Sequence, residues 1–129
     1  MSEPTALRIL IVEDNQDSAL SLKMLLEVLG HVVDVVHDGE EAIVAAATRR
    51  PDVILMDIGL PGMSGYDAAR RIRSDCVGSA MLIIALTGWG QDQDRRRSAD
   101  AGIDHHLVKP LDLDKLRQIL ASAPLPGAG

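Results

Sequence analysis

Residues 53–65 read VILMDIGLPGMSG: four apolar residues run into an aspartate, and a loop with three glycines and a proline follows. A short apolar run of this kind is typical of a β-strand that is covered on both faces. Arg8–Val12 (RILIV) and Met81–Leu86 (MLIIAL) are similar runs. His31–Val36 and His105–Val108 contain polar residues, which favours the two edges of a sheet.

Helical patterns separate these runs, at roughly 15–29, 39–49, 65–75, 91–101 and 112–122. Asp38, Ser64 and Asp112 stand where helices begin, and each side chain can accept a hydrogen bond from the first helical turn. Strands that alternate with helices predict an α/β fold. We therefore expect a (βα)5 flavodoxin-like domain with a five-stranded parallel sheet in the order 2-1-3-4-5 and helices on both faces.

The length of 129 residues fits one domain, which we expect to span 7–122, with 123–129 as a disordered tail. The net charge is −6, and only 2% of the residues are aromatic. This composition disfavours nucleic-acid binding, which uses basic residues for phosphates and aromatic residues for bases. No apolar run approaches the length of about 20 residues that crosses a membrane, and no secretion signal is visible, so we expect a cytoplasmic domain without a membrane partner.

Polar residues that could take part in binding or catalysis follow four of the five predicted strands. Glu13 and Asp14 follow the first strand, Asp57 the third, Thr87 the fourth and Lys109 the fifth. Ligands of open parallel sheets bind outside the carboxyl ends of the strands, so these side chains should share one cleft. Three close carboxylates repel one another unless a cation lies between them, and oxygen ligands favour Mg²⁺, with Mn²⁺ as a substitute.

A metal beside a carboxylate and a lysine suits phosphoryl transfer, because the charge on the moving oxygens must be neutralised. Asp57 would be the nucleophile, Lys109 would pair with the incoming phosphoryl group, and Thr87 would donate a hydrogen bond to it. Gly88 would let its backbone amide approach, and the Gly59 carbonyl could turn toward the metal.

Each of these residues also has an ordinary structural explanation when it is taken alone. Asp57 would then be a turn residue, Asp14 the cap of the first helix in a solvated Glu13-Asp14 pair, and Lys109 a surface lysine. Their joint placement at four strand ends is what favours a site.

With these residues in place, the chain resembles a response-regulator receiver domain of two-component signalling. The resemblance covers nearly the whole length and rests on VEDN (12–15), LMDIGLPGMSG (55–65), ALTG (85–88) and LVKP (107–110). It is strongest to the receivers of hybrid histidine kinases and to single-domain response regulators.

The resemblance implies phosphorylation of Asp57 by a phosphohistidine donor, which is a histidine kinase or a histidine phosphotransfer protein. It implies that Glu13, Asp14, Asp57 and the Gly59 carbonyl hold Mg²⁺. It also implies that the domain is no enzyme for other substrates, since such domains catalyse only their own phosphorylation and dephosphorylation.

The resemblance further implies phosphoryl contacts from the backbone of Ile58 and Gly88, and a cis bond before Pro110. Switching would couple Thr87 to the position of His106, where the family usually has Tyr or Phe. The switch would alter the surface made by the fourth helix, the fifth strand and the fifth helix.

The first predicted helix carries a second apolar stripe, formed by Leu20, Met24 and Val28, opposite the stripe that would face the core. In the family this outer face meets a kinase or a phosphotransfer protein, so we expect a docking patch. The sequence leaves a homodimer open as well.

Three other functions compete with the phosphoacceptor. A flavin- or nucleotide-binding protein would need a phosphate-cradling loop after the first strand, where the acidic stretch 13–17 stands instead. An aspartate-nucleophile phosphohydrolase would carry a second aspartate where Gly59 stands. A receiver-like interaction module that is not phosphorylated would need none of the site residues. We therefore predict a phosphoacceptor.

Overall fold

The computed structural model describes residues 6–60, 62–74, 81–88, 99–109 and 111–122. Its strands are β1 (Arg8–Val12), β2 (Val32–Val36), β3 (Val53–Asp57), β4 (Leu82–Thr87) and β5 (His105–Val108). Its helices are α1 (Gln16–Val28), α2 (Gly39–Arg49), α3 (Gly65–Ser74) and a C-terminal helix (Leu113–Ala121). Most of the predicted helix at 91–101 and the predicted tail at 123–129 lie outside the described residues.

The five strands form one parallel sheet in the order β2-β1-β3-β4-β5, which confirms the predicted topology. The two runs with polar residues are the edge strands, as predicted. β3 and β4 each extend one residue further than the apolar runs, because Asp57 still pairs with Leu86 and Thr87 with Val108. The two polar side chains are therefore held by the sheet itself.

The core lies in two layers, one on each face of the sheet. Ile54 and Leu55, neighbours in β3, are both fully buried and point to opposite faces. Ile54 packs in the layer that includes Ala42 of α2, whereas Leu55 packs with Leu26 of α1 and Leu116 of the C-terminal helix. The chain contains no Phe, so mainly aliphatic side chains fill both layers, with Tyr66 as a buried aromatic residue in the layer of Ile54. None of the described helices is long and apolar enough to cross a membrane.

Polar side chains cap the described helices, with one difference from the sequence prediction. Asp38, Ser64 and Asp112 accept hydrogen bonds from backbone amides in the first turns of α2, α3 and the C-terminal helix. The cap of α1 is Asn15, whose Oδ1 accepts from the Ser18 amide at 2.9 Å. Asp14, which we had considered for this role, is therefore available to the site.

Arg73 of α3 joins this helix to the amino ends of β4 and β5. Its Nε donates to the Gly102 carbonyl at 2.9 Å, and its guanidinium pairs with the Asp104 carboxylate at 2.6 Å. Asp104 also accepts from the Ile83 amide of β4 at 2.9 Å. Gly102 has φ +82°, and a Cβ there would lie 2.6 Å from the Arg73 side chain, so the glycine makes room for this contact.

We expect Arg73→Met to lower the free energy of unfolding by about 2–3 kcal/mol, because partly buried acceptors would lose their charged donor. The matched control is Asp34→Asn, which breaks the exposed Arg49–Asp34 pair at 3.3 Å. It should change stability by less than about 0.5 kcal/mol. Urea unfolding followed by circular dichroism measures both variants, and equal losses would contradict this role of Arg73.

Candidate functional site

The carboxyl ends of four strands bring the predicted site residues together. Asp57 ends β3 and Thr87 ends β4, while Glu13 and Lys109 directly follow β1 and β5. The strand order reverses between β1 and β3, since β2 lies on one side of this pair and β4 and β5 on the other. The cleft that forms at such a reversal is where open α/β sheets bind ligands.

Glu13, Asp14 and Asp57 form an acidic cluster in which one carboxylate oxygen from each residue lies within 4.8 Å of the others. Glu13 and Asp57 are buried, at 4% and 7% exposure, whereas Asp14 is exposed. Carboxylates this close repel one another, and burial strengthens the repulsion because less water screens the charges. Their oxygens are ligands that Mg²⁺ prefers, so the cluster fits a divalent cation.

Lys109 bridges the two buried carboxylates. Its Nζ lies 2.5 Å from Glu13 Oε1 and 3.3 Å from Asp57 Oδ2. Burial by itself lowers the pKa of Lys109, but the hydrogen bond to Glu13 and the charges of both carboxylates outweigh it and raise the pKa above its ordinary value. The amine is therefore a cation at neutral pH, next to the residue that we predict to be the nucleophile.

Glu13 is held in an environment that disfavours its charge. Burial raises the pKa of its carboxyl, and the neighbouring Asp57 raises it further, while Lys109 opposes part of this shift. A cation placed among the three carboxylates would favour the charged form of Glu13.

The carboxylate of Asp57 is oriented by contacts on both oxygens. The Gly59 amide donates to Oδ1 at 2.9 Å, opposite the contact of Lys109 with Oδ2. The Ile58 amide donates to the Leu86 carbonyl at 3.0 Å, and its contact with a phosphoryl group stays a prediction. The hydrogen-bond ladder between β3 and β4 continues one residue past Asp57, so in this conformation Gly59 supplies the backbone amide at the carboxylate.

Gly65 lets the start of α3 pack against the segment after Asp57. A Cβ at this position would lie 2.6 Å from the Asp57 carbonyl oxygen and 2.9 Å from the Ile58 Cα. Both are backbone atoms, which cannot move aside without shifting the strand end. The last glycine of the opening motif is therefore needed for close packing beside the site.

Thr87 is fully buried, and its hydroxyl donates to the Leu107 carbonyl of β5 at 3.4 Å. This distance is at the long end for a hydrogen bond between oxygens, so the interaction is weak. His106, next to Leu107, is half-buried and lies beside Ala85 in the register of β4 and β5. Gly88 follows Thr87 directly and is half-buried. Pro110 lies outside the described residues, so the cis bond stays a prediction.

One residue of the site was not predicted. His37 follows β2, the edge strand to which the sequence assigned no chemistry, and its Nδ1 lies 3.0 Å from the Glu13 carbonyl oxygen. A carbonyl oxygen only accepts hydrogen bonds, so the ring nitrogen donates. Sequence patterns carry no signal for this contact, because it joins residues 24 positions apart through the pairing of β1 with β2.

The outer face of α1 exposes the predicted apolar stripe. Leu20, Met24 and Val28 are 55%, 58% and 83% exposed, whereas Ala19 and Leu26 on the inner side are buried. An open cleft of about 520 Å³ runs along this helix. It is lined by residues of α1 and by Glu13, Lys109 and Leu111, so the cleft reaches from the helix to the acidic cluster.

A protein-family model described as the response regulator receiver domain matches residues 9–121. The chain belongs to this family. The match includes all described strands but the first residue of β1, and it includes all five predicted site residues at strand ends.

Curated relatives of this receiver domain differ in length. The two-component response regulator PhoP of Pseudomonas aeruginosa is 39% identical over 110 residues, which are 85% of this chain and 48% of PhoP. Protein PilH of the same organism is 36% identical over 109 residues, which are 84% of this chain and 90% of PilH. The chain thus spans about half of PhoP but most of PilH.

A similar solved structure is the receiver domain of the sensor histidine kinase PA1611 from Pseudomonas aeruginosa. It superposes with a TM-score of 0.80 at 39% identity, covering 89% of this chain and 94% of that one. In that crystal structure a magnesium ion is coordinated in the active site cleft.

We expect the Glu13 carboxyl of the metal-free receiver domain to titrate above its usual value of 4.5, and Mg²⁺ to lower its pKa. Because the folded pKa is raised, Glu13 contributes stability that is present below pH 4.5 and is lost as pH rises through the folded pKa. Carbon-13 NMR of the carboxyl group measures the titration, with Glu13→Gln to assign the signal. A metal-free pKa at or below 4.5 would contradict the prediction.

Proposed function

We propose that this receiver domain is a phosphoacceptor in a two-component phosphorelay, and that a phosphohistidine donor transfers its phosphoryl group to Asp57. The observation that carries the proposal is the setting of Asp57: a buried carboxylate at the end of a central strand, 3.3 Å from a lysine ammonium and within 4.8 Å of two further carboxylates. A purely structural aspartate would not need neighbours of both charges.

The transfer is an in-line displacement at phosphorus. A carboxylate oxygen of Asp57 forms the new bond to phosphorus as the bond to the donor nitrogen breaks, and the electron pair leaves with the donor imidazole. Lys109 would neutralise charge on the phosphoryl oxygens. The Gly59 amide holds Asp57 Oδ1, and the Gly88 amide would donate to the phosphoryl group. The resulting acyl phosphate is hydrolysed slowly in the same site.

Glu13, Asp14, Asp57 and the Gly59 carbonyl would hold Mg²⁺ or, as a substitute, Mn²⁺. When bound, the ion supplies positive charge next to the transferred group. Support comes from the acidic cluster and from the magnesium ion in the PA1611 receiver domain.

Phosphorylation would be communicated through Thr87. Its hydroxyl makes only a long contact with the Leu107 carbonyl at 3.4 Å, and a charged phosphoryl oxygen is a stronger acceptor. A change of partner would release β5 next to His106. We propose that the surface of the helix at 91–101, β5 and the C-terminal helix responds.

The donor would be a histidine kinase or a histidine phosphotransfer protein that docks on Leu20, Met24 and Val28. The exposure of this stripe supports the docking surface. The cleft beside it, lined by Leu22 and Leu25 of α1, leads to Lys109 and would let the donor histidine approach Asp57. Such an encounter would place the receiver domain in the cytoplasm, where a kinase has access to ATP. A homodimer through the same face is the competing use of the stripe.

Among the alternatives, an interaction module that is not phosphorylated would not explain why three carboxylates and a lysine lie so close together. A phosphohydrolase would need an acid and base two residues after Asp57, and Gly59 has no side chain to serve as one. We therefore propose that the domain turns over no substrate other than its own phosphoryl group.

We expect wild-type protein to form one base-labile phosphoryl adduct with acetyl phosphate and Mg²⁺, and Asp57→Asn to form none, because the amide is not a nucleophile. Intact-protein mass spectrometry measures the adduct, and chelation of the metal should suppress it. An equal adduct on Asp57→Asn would refute Asp57 as the acceptor.

We expect Met24→Glu to slow phosphoryl transfer from a phosphohistidine protein by about tenfold, because a buried anchor of an interface contributes roughly 1–2 kcal/mol or more. Phosphorylation by acetyl phosphate should not change, since that donor needs no docking. Val44→Glu is the matched control, because Val44 is 62% exposed on α2, away from this face. Equal slowing in both variants would reject the stripe as the docking surface.

A further inference from the structure

The backbone of Glu13 is held at both of its polar groups by the end of β2. Its amide donates to the Val36 carbonyl at 3.1 Å, and its carbonyl accepts from His37 Nδ1 at 3.0 Å. The first contact continues the pairing of β1 with β2, but the second comes from a side chain beyond the strand. The His37 side chain thus binds the first backbone carbonyl after β1, beyond the last backbone hydrogen bond between β1 and β2.

The beginning of α2 keeps the backbone of His37 in place. The His37 amide donates to Glu41 Oε1 at 2.9 Å, and the Glu41 amide donates to Asp38 Oδ1 at 2.8 Å. The first contact holds the residue before the N-cap, and the second caps α2 through Asp38, so together they fix the chain where it enters the helix. The imidazole therefore reaches Glu13 from a rigid base.

The carbonyl that His37 binds belongs to the peptide group between Glu13 and Asp14. A peptide group is planar, so a fixed oxygen also fixes the direction in which the chain enters Asp14. The Asp14 carboxylate is exposed and accepts no hydrogen bond from any residue that the structure describes. Its direction toward the other two carboxylates consequently depends on the backbone, and the backbone is held by His37.

We propose that His37 is a positioning residue for the divalent cation. Its Nδ1–H fixes the Glu13–Asp14 peptide so that Asp14 faces Glu13 and Asp57, which preorganises the cluster before the ion arrives. The proposal rests on the metal site described under the proposed function. It assigns a role to the one strand end to which the sequence assigned none.

The test is the dissociation constant of Mg²⁺, measured by calorimetry with the metal alone. We expect His37→Ala to bind about tenfold more weakly, at the lower end of the effect of residues that orient metal ligands, because His37 holds a backbone group. His37→Asn should bind within about twofold of wild type, since its Nδ2 is attached to Cγ as Nδ1 of histidine is.

His31→Ala is the matched control at the other end of the same strands. His31 Nδ1 accepts a hydrogen bond from the Leu7 amide at 3.1 Å, so its loss should loosen the pairing of β1 with β2 at the end away from the cluster. We expect this variant to lower the unfolding temperature and to leave the affinity for Mg²⁺ unchanged. An affinity loss equal to that of His37→Ala would overturn the proposal.

A second measurement uses the wild-type protein without metal. Nitrogen-15 NMR near pH 8 should place the ring proton of neutral His37 on Nδ1, as donation to the Glu13 carbonyl requires. A proton on Nε2 alone would overturn the proposal, as would wild-type affinity in His37→Ala or equal weakening in His37→Asn. Absence of Mg²⁺ binding by the wild type would instead reject the metal site itself.

Discussion

Three carboxylates and one ammonium meet at the carboxyl edge of the sheet, and their charges do not balance. Glu13, Asp14 and Asp57 would carry three negative charges against the single positive charge of Lys109, an excess of two. Burial raises the pKa of the Glu13 carboxyl, and the neighbouring Asp57 raises it further. A divalent ion would restore the balance and would leave Lys109 available to meet the charge of an incoming phosphoryl group. The chemistry of the domain follows from this imbalance.

The fold tolerates this excess of negative charge because its stability comes from contacts outside the acidic cluster. Two aliphatic layers bury the central strands, and Arg73 ties α3 to the amino ends of β4 and β5, at the edge opposite the acidic cluster. Repulsion in the cluster is therefore local strain on a well-packed sheet. This division is common in α/β proteins, in which the strands supply rigidity and the residues after them supply function.

The two histidines at the ends of β2 illustrate how position decides the role of one residue type. His31 accepts a backbone hydrogen bond from Leu7 before β1, and burial lowers its pKa, so it remains neutral and structural. His37 donates to Glu13 after β1, beside the charged cluster. The same side-chain type thus binds an amide before β1 at one end of the sheet and the Glu13 carbonyl beside the acidic cluster at the other.

The types of the described elements, the order of the strands and the residues at four strand ends were all predictable from the sequence. These follow from periodicity and from the rule that parallel strands present their carboxyl ends to one cleft. The apolar outer stripe of α1 was predictable for the same reason, since helical spacing is a local property.

The contacts between these groups were not predictable, because they depend on how distant segments pack. The contact of Lys109 with Glu13 spans 96 positions and that of His37 with Glu13 spans 24, and both depend on strand register and loop geometry. The choice of the Gly59 amide over that of Ile58, and the need for glycine at position 65, likewise come from how far the β3–β4 ladder continues. Sequence periodicity tells which side chains share a face, but distances of 3 Å are set by packing between segments that are remote along the chain.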